Sequence, residues 1–350
     1  MSAAGIDVLV RGAGPVGCAL AAAIRDSHLQ VRVLRGREAP AAFRPIALSY
    51  ASRLILERLG VWDELALTPI GRIHVSQQGG FGRTVMQADE AHVPALGYVT
   101  EYPALVDVLQ KRCDGLYVDE EVPARCVVHA EGSSGEAREK RYDQDAVIAR
   151  VSTLPAAGAT AFERFTAQGP LALLPLARRY ALIWGCRPGR ALALSQCADD
   201  EFVTQLALAA GRGPGTPLAV EDRAVVPLAL RVHPRSVSHR AVHIGNAAQS
   251  LHPVAGQGLN LGLRDAWELS GVFLQSQDPG DASTLARYAA ARKLDARAAI
   301  GLTDALAGVF LGTNPLARAA RGAALTALDL LPAPRRFFAR RMIYGPSALP

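Results

Sequence analysis

The chain has 350 residues, half of them hydrophobic and a fifth charged, with a net charge of +6. That balance excludes a disordered chain and fits one large globular domain or two coupled ones. No uninterrupted apolar run approaches the roughly 20 residues that span a bilayer, and the opening MSAAGIDVLV lacks a basic n-region, so no signal peptide is expected. Cys18, Cys113, Cys126, Cys186 and Cys197 are scattered and form no CxxC, which fits structural thiols in a reducing, cytoplasmic setting. The positive charge suits an anionic cofactor or a membrane surface. Basic and aromatic residues are not interleaved as in nucleic-acid readers, so no nucleic-acid partner is expected.

Residues 6–35, IDVLVRGAGPVGCALAAAIRDSHLQVRVLR, run strand, GxGxxG turn, Ala-rich helix, strand. In such a dinucleotide-binding unit Gly12 permits the tight turn and Gly14 lets main chain approach a pyrophosphate. Gly17 lets helix and strand close up, and the helix N-terminus faces the anion. Two positions depart from the pattern. Arg35 stands where an acid normally holds a ribose hydroxyl, with Glu38 three residues on, and Arg11 ends the first strand where an apolar residue is usual. Arg35 would also suit the 2′-phosphate of NADP in a reductase.

Next, FRPIALSYASRLILERLG reads as a loop entering a helix, IHVSQQGGFGRTVMQ as strands about a GG turn, and YPALVDVLQKRC as a helix. Residues 115–132 hold two short strands. Residues 161–197, AFERFTAQGPLALLPLARRYALIWGCRPGRALALSQC, read as antiparallel strands broken by Gly and Pro. DDEFVTQLALAAG reads as a helix with an Asp cap, while RAVVPLALRV and RAVHIGNA resume strand character. Four glycines in GNAAQSLHPVAGQGLNLGLRDA (245–266) weaken any ordinary helix or strand, so a partner needs close access to that backbone. Helices dominate beyond it, and the tail RFFARRMIYG is basic and apolar.

This last glycine-rich stretch resembles the second flavin motif of the class A FAD-dependent aromatic hydroxylases of para-hydroxybenzoate hydroxylase-like fold. RPIALSYASRLILERLGVW, IHVSQQGGFGRT, VPALGYV, AFERFTAQGPLALLPL and RRMIYG extend the likeness along nearly the whole chain. More narrowly, it is similar to the ubiquinone-biosynthesis hydroxylases, of the 2-polyprenyl-6-methoxyphenol hydroxylase-like kind. HAEGSSGEAR fills the slot of the family's third motif, with Glu131 in place of the usual Asp before Gly132. Between YPALVDVLQKRC and HAEG about sixteen residues replace several extra strands, which looks like an internal deletion.

The resemblance implies an α/β fold: a Rossmann-like FAD-binding domain, an interleaved antiparallel-sheet substrate domain and a helical C-terminus. FAD-binding parts are expected at 1–75, 101–150 and 236–280, substrate-domain parts at 76–100 and 151–235, and C-terminal helices at 281–350. It also implies FAD with NADH or NADPH as reductant, and hydroxylation of a polyprenyl phenol through a flavin C4a-hydroperoxide. In that frame Gly245 and Asn246 lie along the pyrophosphate and ribityl. Pro253 flanks the isoalloxazine, and the amides of Gly256, Gln257, Gly258, Leu259 and Asn260 point at its pyrimidine edge. His252 would order the loop or exchange protons, and Arg44 would position the ring or balance charge. Glu163 and Arg164 would line the substrate chamber or pair with each other, and Leu171, Leu173 and Leu174 would wall it. No metal is required. Arg335, Arg336, Arg340 and Arg341, with Phe337, Phe338, Met342 and Ile343, would meet an anionic membrane. The expected location is cytoplasmic, peripheral to the inner membrane, in contact with a ubiquinone-biosynthesis complex. The alternative is a non-catalytic scaffold or quinone-binding subunit of the same pathway.

Overall fold

The computed structural model describes residues 5–36, 42–132, 137–251, 256–311 and 315–345, with backbone alone for 302–311. The apolar run Ile6–Arg11 forms β1, the Ala-rich stretch Pro15–Ile24 forms α1, and Val31–Leu34 forms β2 parallel to β1. Pro45–Leu48 (β3) leads into α2 (Tyr50–Arg58), whose first turn is capped by the Ser49 hydroxyl accepting from the Ser52 N–H. Thr68–Ile70 (β4), the hairpin β5 (Arg72–Gln77) and β6 (Arg83–Gln87), and β7 (Gly97–Glu101) precede α3 (Tyr102–Lys111). Two short strands follow, β8 (Tyr117–Val118) and β9 (Ala124–His129).

Then come β10 (Arg138–Leu154), β11 (Thr160–Phe165), β12 (Pro170–Leu176) and β13 (Arg179–Cys186), followed by α4 (Pro188–Gln196) and α5 (Asp199–Ala210). A second 17-residue strand, β14 (Thr216–Val232), returns along β10, ahead of β15 (Val237–Ser238), β16 (Ala241–His243) and β17 (Gln249–Ser250). The chain closes with α6 (Gly258–Leu274), α7 (Ala282–Leu311), α8 (Pro315–Leu330) and α9 (Pro332–Tyr344).

Three sheets result. A six-stranded sheet, ordered β15-β16-β9-β1-β2-β8, carries the dinucleotide turn and is parallel apart from its β15–β16 edge pair. An eight-stranded sheet, β17-β14-β10-β13-β12-β11-β5-β6, is antiparallel except where β11 runs beside β5. β3, β7 and β4 form a small third sheet. The chain passes back and forth between the sheets, which is the interleaving expected from the sequence.

Several expectations change. RPGRALALSQC is not a strand: Pro188 starts α4, whose Ala191 and Leu194 are buried. The first turn of α5 has no Asp cap; its N-cap is Ala198, and Asp199, Asp200 and Glu201 sit within the turn, where they favour the helix dipole. β10 begins at Arg138, so residues 138–150, expected with the FAD-binding part, pair in the large sheet.

The shortened region is also accounted for. β9 pairs directly with β1, and the parallel sheet ends on β8, only two residues long. Arg11 forms an ion pair with Glu121, and Arg35 stacks on Tyr117 (4.5 Å to the ring centroid) 3.7 Å from Asp119. The two out-of-pattern arginines thus face the acidic connection between β8 and β9. A short, charged edge also discourages edge-to-edge pairing.

Glycine sets the spacing at the N-terminal turn. A Cβ on Gly17 would lie 2.1 Å from the Gly12 carbonyl oxygen. Gly17→Ala should therefore lose stability in denaturant titration despite alanine's helix advantage of about 1 kcal/mol, the clash costing about 1–3 kcal/mol or more. Gly271→Ala in α6, with nothing within 4 Å of the added carbon, serves as the control and should be neutral or stabilising. Equal midpoints for the two variants would contradict this packing.

Candidate functional site

A continuous cavity of about 1560 Å³ runs from the dinucleotide turn to the large sheet and α9. Two helices point their N-termini at it. α1 starts at the N-cap Gly14 with Pro15 in its first turn, and α6 starts after Gln257. Neither has a side-chain cap or an acid in its first turn. Both ends therefore present uncapped main-chain donors and partial positive charge to one space, the arrangement that favours an anionic ligand. Close packing brings them together: a Cβ on Gly245 would sit 3.1 Å from Val16, and one on Gly262 would sit 2.7 Å from it.

The expected cofactor residues divide by location. Gly12, Gly14, Arg44, Glu131, Gly132 and Asn246 line the cavity, as do Gly256, Gln257, Gly258, Leu259 and Asn260. Gly17 and Gly245 are buried and serve packing, and Arg35 points to the acidic connection; none of the three lines the cavity. His252, Pro253 and Glu38 lie outside the described residues. Arg44 is exposed, with its guanidinium 4.3 Å over the Tyr102 ring.

The glycines test whether FAD fits. Gly12 (φ 105°) would drive a Cβ to 2.8 Å from Ala130, so its demand is internal. Gly14 differs: an added Cβ would meet only the Tyr102 hydroxyl at 3.6 Å, and at Gly132 and Gly258 it would meet nothing within 4 Å. These positions are bare toward the cavity, where a Cβ would occupy space that a ligand needs. The residues present therefore fit a dinucleotide laid along main chain.

Asn260 holds the α6 end in place. Its Oδ1 accepts from the Ser49 N–H (2.8 Å) and the Ser52 hydroxyl (2.7 Å). Its Nδ2 donates to the carbonyls of Ala47 (2.9 Å) and Gly256 (2.7 Å). The Asn260 side chain is thus spent on the scaffold, leaving its main chain for a ligand. Gln257 is buried and donates to the Met342 carbonyl of α9 (3.3 Å).

A buried ionic network lies behind the same loop. Asp265 accepts from the Gly245 N–H (3.1 Å), Gln249 Nε2 (2.7 Å) and Arg292 Nε (2.8 Å), and Asp295 pairs with Arg264 (2.9 Å) and Arg292 (2.5 Å). Burial raises the Asp265 carboxyl above its ordinary range despite Arg292. At Asp295 burial is outweighed by Arg264 and Arg292, and the carboxyl is held low. Asp265 went unassigned in the sequence; an acid inside the apolar stretch LNLGLRDAWELS is the sign that could have found it.

Near Glu131 three histidines stack: His129 on His243 (4.5 Å) and His243 on His233 (3.9 Å). Burial, with His233 and His129 alongside, lowers His243 to about 4. Burial works against ionisation of Glu131, yet the His129 contact (3.0 Å) keeps it below the usual carboxylate range. No sequence spacing points to this trio, because its members come from β9, β16 and the residue just after β14.

On the large sheet, Glu163 and Arg164 do not pair. Alternation along β11 turns Ala161, Glu163 and Phe165 to the cavity, while Arg164 lies 3.4 Å from Ser76 Oγ on the other face. By the same alternation Leu174 lines the cavity, whereas Leu171 and Leu173 are buried with α4 and α5 on the far side. In α9, Phe338 and Met342 line the cavity, Ile343 is buried, and Arg335 binds Glu90 (2.9 and 3.0 Å). Only Arg336, Phe337, Arg340 and Arg341 of the expected membrane face are exposed.

Residues 117–303 match the model of the FAD binding domain family. The chain is 30% identical over 380 residues to ubiquinone hydroxylase UbiL of Rhodospirillum rubrum, covering 95% of this chain and 88% of that protein. It is 28% identical over 340 residues to the 3-demethoxyubiquinol 3-hydroxylase of Escherichia coli, covering 83% and 86%. Among solved structures, Klebsiella pneumoniae HpxO complexed with FAD and uric acid superposes with a TM-score of 0.75 at 16% identity, covering 97% of this chain and 96% of that one.

Two outcomes follow. Gly14→Ala should leave the fold's melting midpoint unchanged and weaken FAD binding about tenfold or more in a fluorescence titration, a loss of about 1.4 kcal/mol; undiminished affinity would contradict the bare-backbone reading. Asp265→Ala strands Arg292 beside Asp295 alone, so denaturant titration should show a loss of about 3–5 kcal/mol; a loss below 1 kcal/mol would mean the network carries little.

Proposed function

The chain belongs to the class A FAD-dependent hydroxylases, in the branch of the ubiquinone hydroxylases, and from that premise we propose that it hydroxylates the ring of a polyprenyl phenol in ubiquinone biosynthesis, with NADH or NADPH as reductant. The observation that carries the proposal is a single cavity that joins a main-chain cradle to an apolar chamber under the large sheet. Bound FAD supplies the oxygen-transfer chemistry; the chain binds, orients and shields.

In this reading the free amides of Ala13, Gly14 and Val16 at the α1 end would hold the pyrophosphate, with Asn246, Glu131 and Gly132 alongside. The chain entering α6, Gly256 to Asn260, would hold the edge of the flavin ring. The helix dipole and the free N–H groups there would favour negative charge without reorganisation. Arg44, at the cavity wall, would balance charge there. Residues of the parallel sheet form the cofactor part and the eight-stranded sheet roofs the substrate. Ile148, Leu174, Ile183, Phe338 and Met342 line a chamber suited to a prenylated ring and able to exclude water.

Among the described residues no helix is long and apolar enough to cross a membrane. A peripheral seat on an anionic surface, through Arg336, Phe337, Arg340 and Arg341, would give access to a lipid-borne substrate. Association with a ubiquinone-biosynthesis complex belongs to the same proposal, and a silent scaffold on this fold is the alternative that the experiment separates from it.

Purified protein should be yellow, bleach on NAD(P)H addition, and convert a short-chain prenylated phenol to a product heavier by one oxygen in mass spectrometry. Gly258→Val, whose side chain would enter the cavity without touching protein through its Cβ, should lower that turnover about tenfold or more, a loss of about 1.4 kcal/mol, with the fold intact. A colourless protein that takes up no FAD would support the scaffold.

A further inference from the structure

One ionisable group stands in the apolar floor of the cavity with no role yet. Strand register defines its setting: Thr84, Val75, Glu163, Ala172, Ile183 and Ile148 form one row across β6, β5, β11, β12, β13 and β10, and all six line the cavity. Glu163 is the only acid in this row, and among the described residues it has no hydrogen-bond or ion-pair partner. Arg164, next in sequence, is on the opposite face. The other ionisable groups on the cavity wall are Arg335, committed to Glu90, and Arg44, Tyr102, Asp107 and Glu131 on the side of the dinucleotide turn. From α8, Arg321 packs over the Phe165 ring at 4.8 Å, and among the described residues no cation reaches the Glu163 carboxyl.

Resting on the phenol-hydroxylase reading, we propose that Glu163 is the base that accepts the phenolic proton of the substrate. The substrate O–H bond breaks and a carboxyl O–H bond forms. The electron pair stays on the phenolate oxygen and raises electron density at the ring carbons ortho and para to it, which prepares the ring to take up electrophilic oxygen. No electron transfer accompanies this step. An isolated carboxylate on an apolar floor suits the task for two reasons. It has no competing partner, and burial alone raises its pKa to about 8, toward that of a phenol, which improves proton transfer. The sign follows: the acceptor is the carboxylate, so hydroxylation should rise with pH through about 8 and level off above it.

The test uses the FAD-loaded enzyme and Glu163→Gln, which keeps size and shape. In wild type, single-turnover hydroxylation of a prenylated phenol should show that rising limb. In Glu163→Gln the limb should vanish and the rate fall by about 10²–10⁴-fold, with Glu163→Asp recovering part of it. A second readout needs no turnover. A nitrophenol bound to the oxidised enzyme should ionise in two coupled steps by difference absorbance in wild type, and in one step in Glu163→Gln. Flavin content and reduction by NAD(P)H should be the same in both proteins. Matching one-step titrations, or an unaltered pH limb in Glu163→Gln, would overturn the assignment. Failure of wild type to hydroxylate any phenol while the two-step titration persists would instead count against the hydroxylase reading.

Discussion

The molecule depends on how closely two helix ends can approach each other. The N-termini of α1 and α6 are drawn to one cavity because Gly245 and Gly262 leave room for Val16 between them. Neither end carries a side-chain cap or an acid in its first turn, so two partial positive charges converge on one space. Such an arrangement costs stability in the free protein and is compensated when an anionic ligand fills the space. The same glycines that permit the approach keep side chains out of the ligand's path.

Holding that geometry requires groups far less tolerant than a solvated surface. Asn260 uses three of its four side-chain hydrogen bonds to tie α6 to the β3–α2 junction and the fourth on the Gly256 carbonyl. Asp265 fixes the loop at Gly245 to α6 and α7 through Arg292. Buried ion pairs contribute little net stability, since desolvation consumes most of the attraction. Their value here is positional: they give the loop one register against the helices, so the cavity keeps its shape from sheet to sheet.

Much of this was legible in the chain. Apolar runs around GAGPVG, the hairpin about GG and the glycine-rich 245–262 stretch each carry a local physical signal, and each element lies where that signal places it. What could not be read depended on distant partners. Residues 138–150, grouped by resemblance with the FAD-binding part, extend β10 because the seventeen-residue β14 runs antiparallel beside them. The ALAL of α4 alternates like a strand, but Pro188 opens a helix and its neighbours bury Ala191 and Leu194. Arg11 and Arg35 looked like defects until Glu121 and Asp119 came beside them. Which of Glu163 and Arg164 would face the cavity, and which of Leu171, Leu173 and Leu174, turns on strand register, which composition does not contain.

The central claim is that one cofactor joins both helix ends across this cavity. The most direct measurement is the crystal structure of the protein grown with FAD. The expected result is a pyrophosphate against the amides of Ala13, Gly14 and Val16 and an isoalloxazine edge against Gly256–Asn260, with a ring face toward Glu163 and the large sheet. A cavity closed by side chains, or flavin bound elsewhere, would contradict the account.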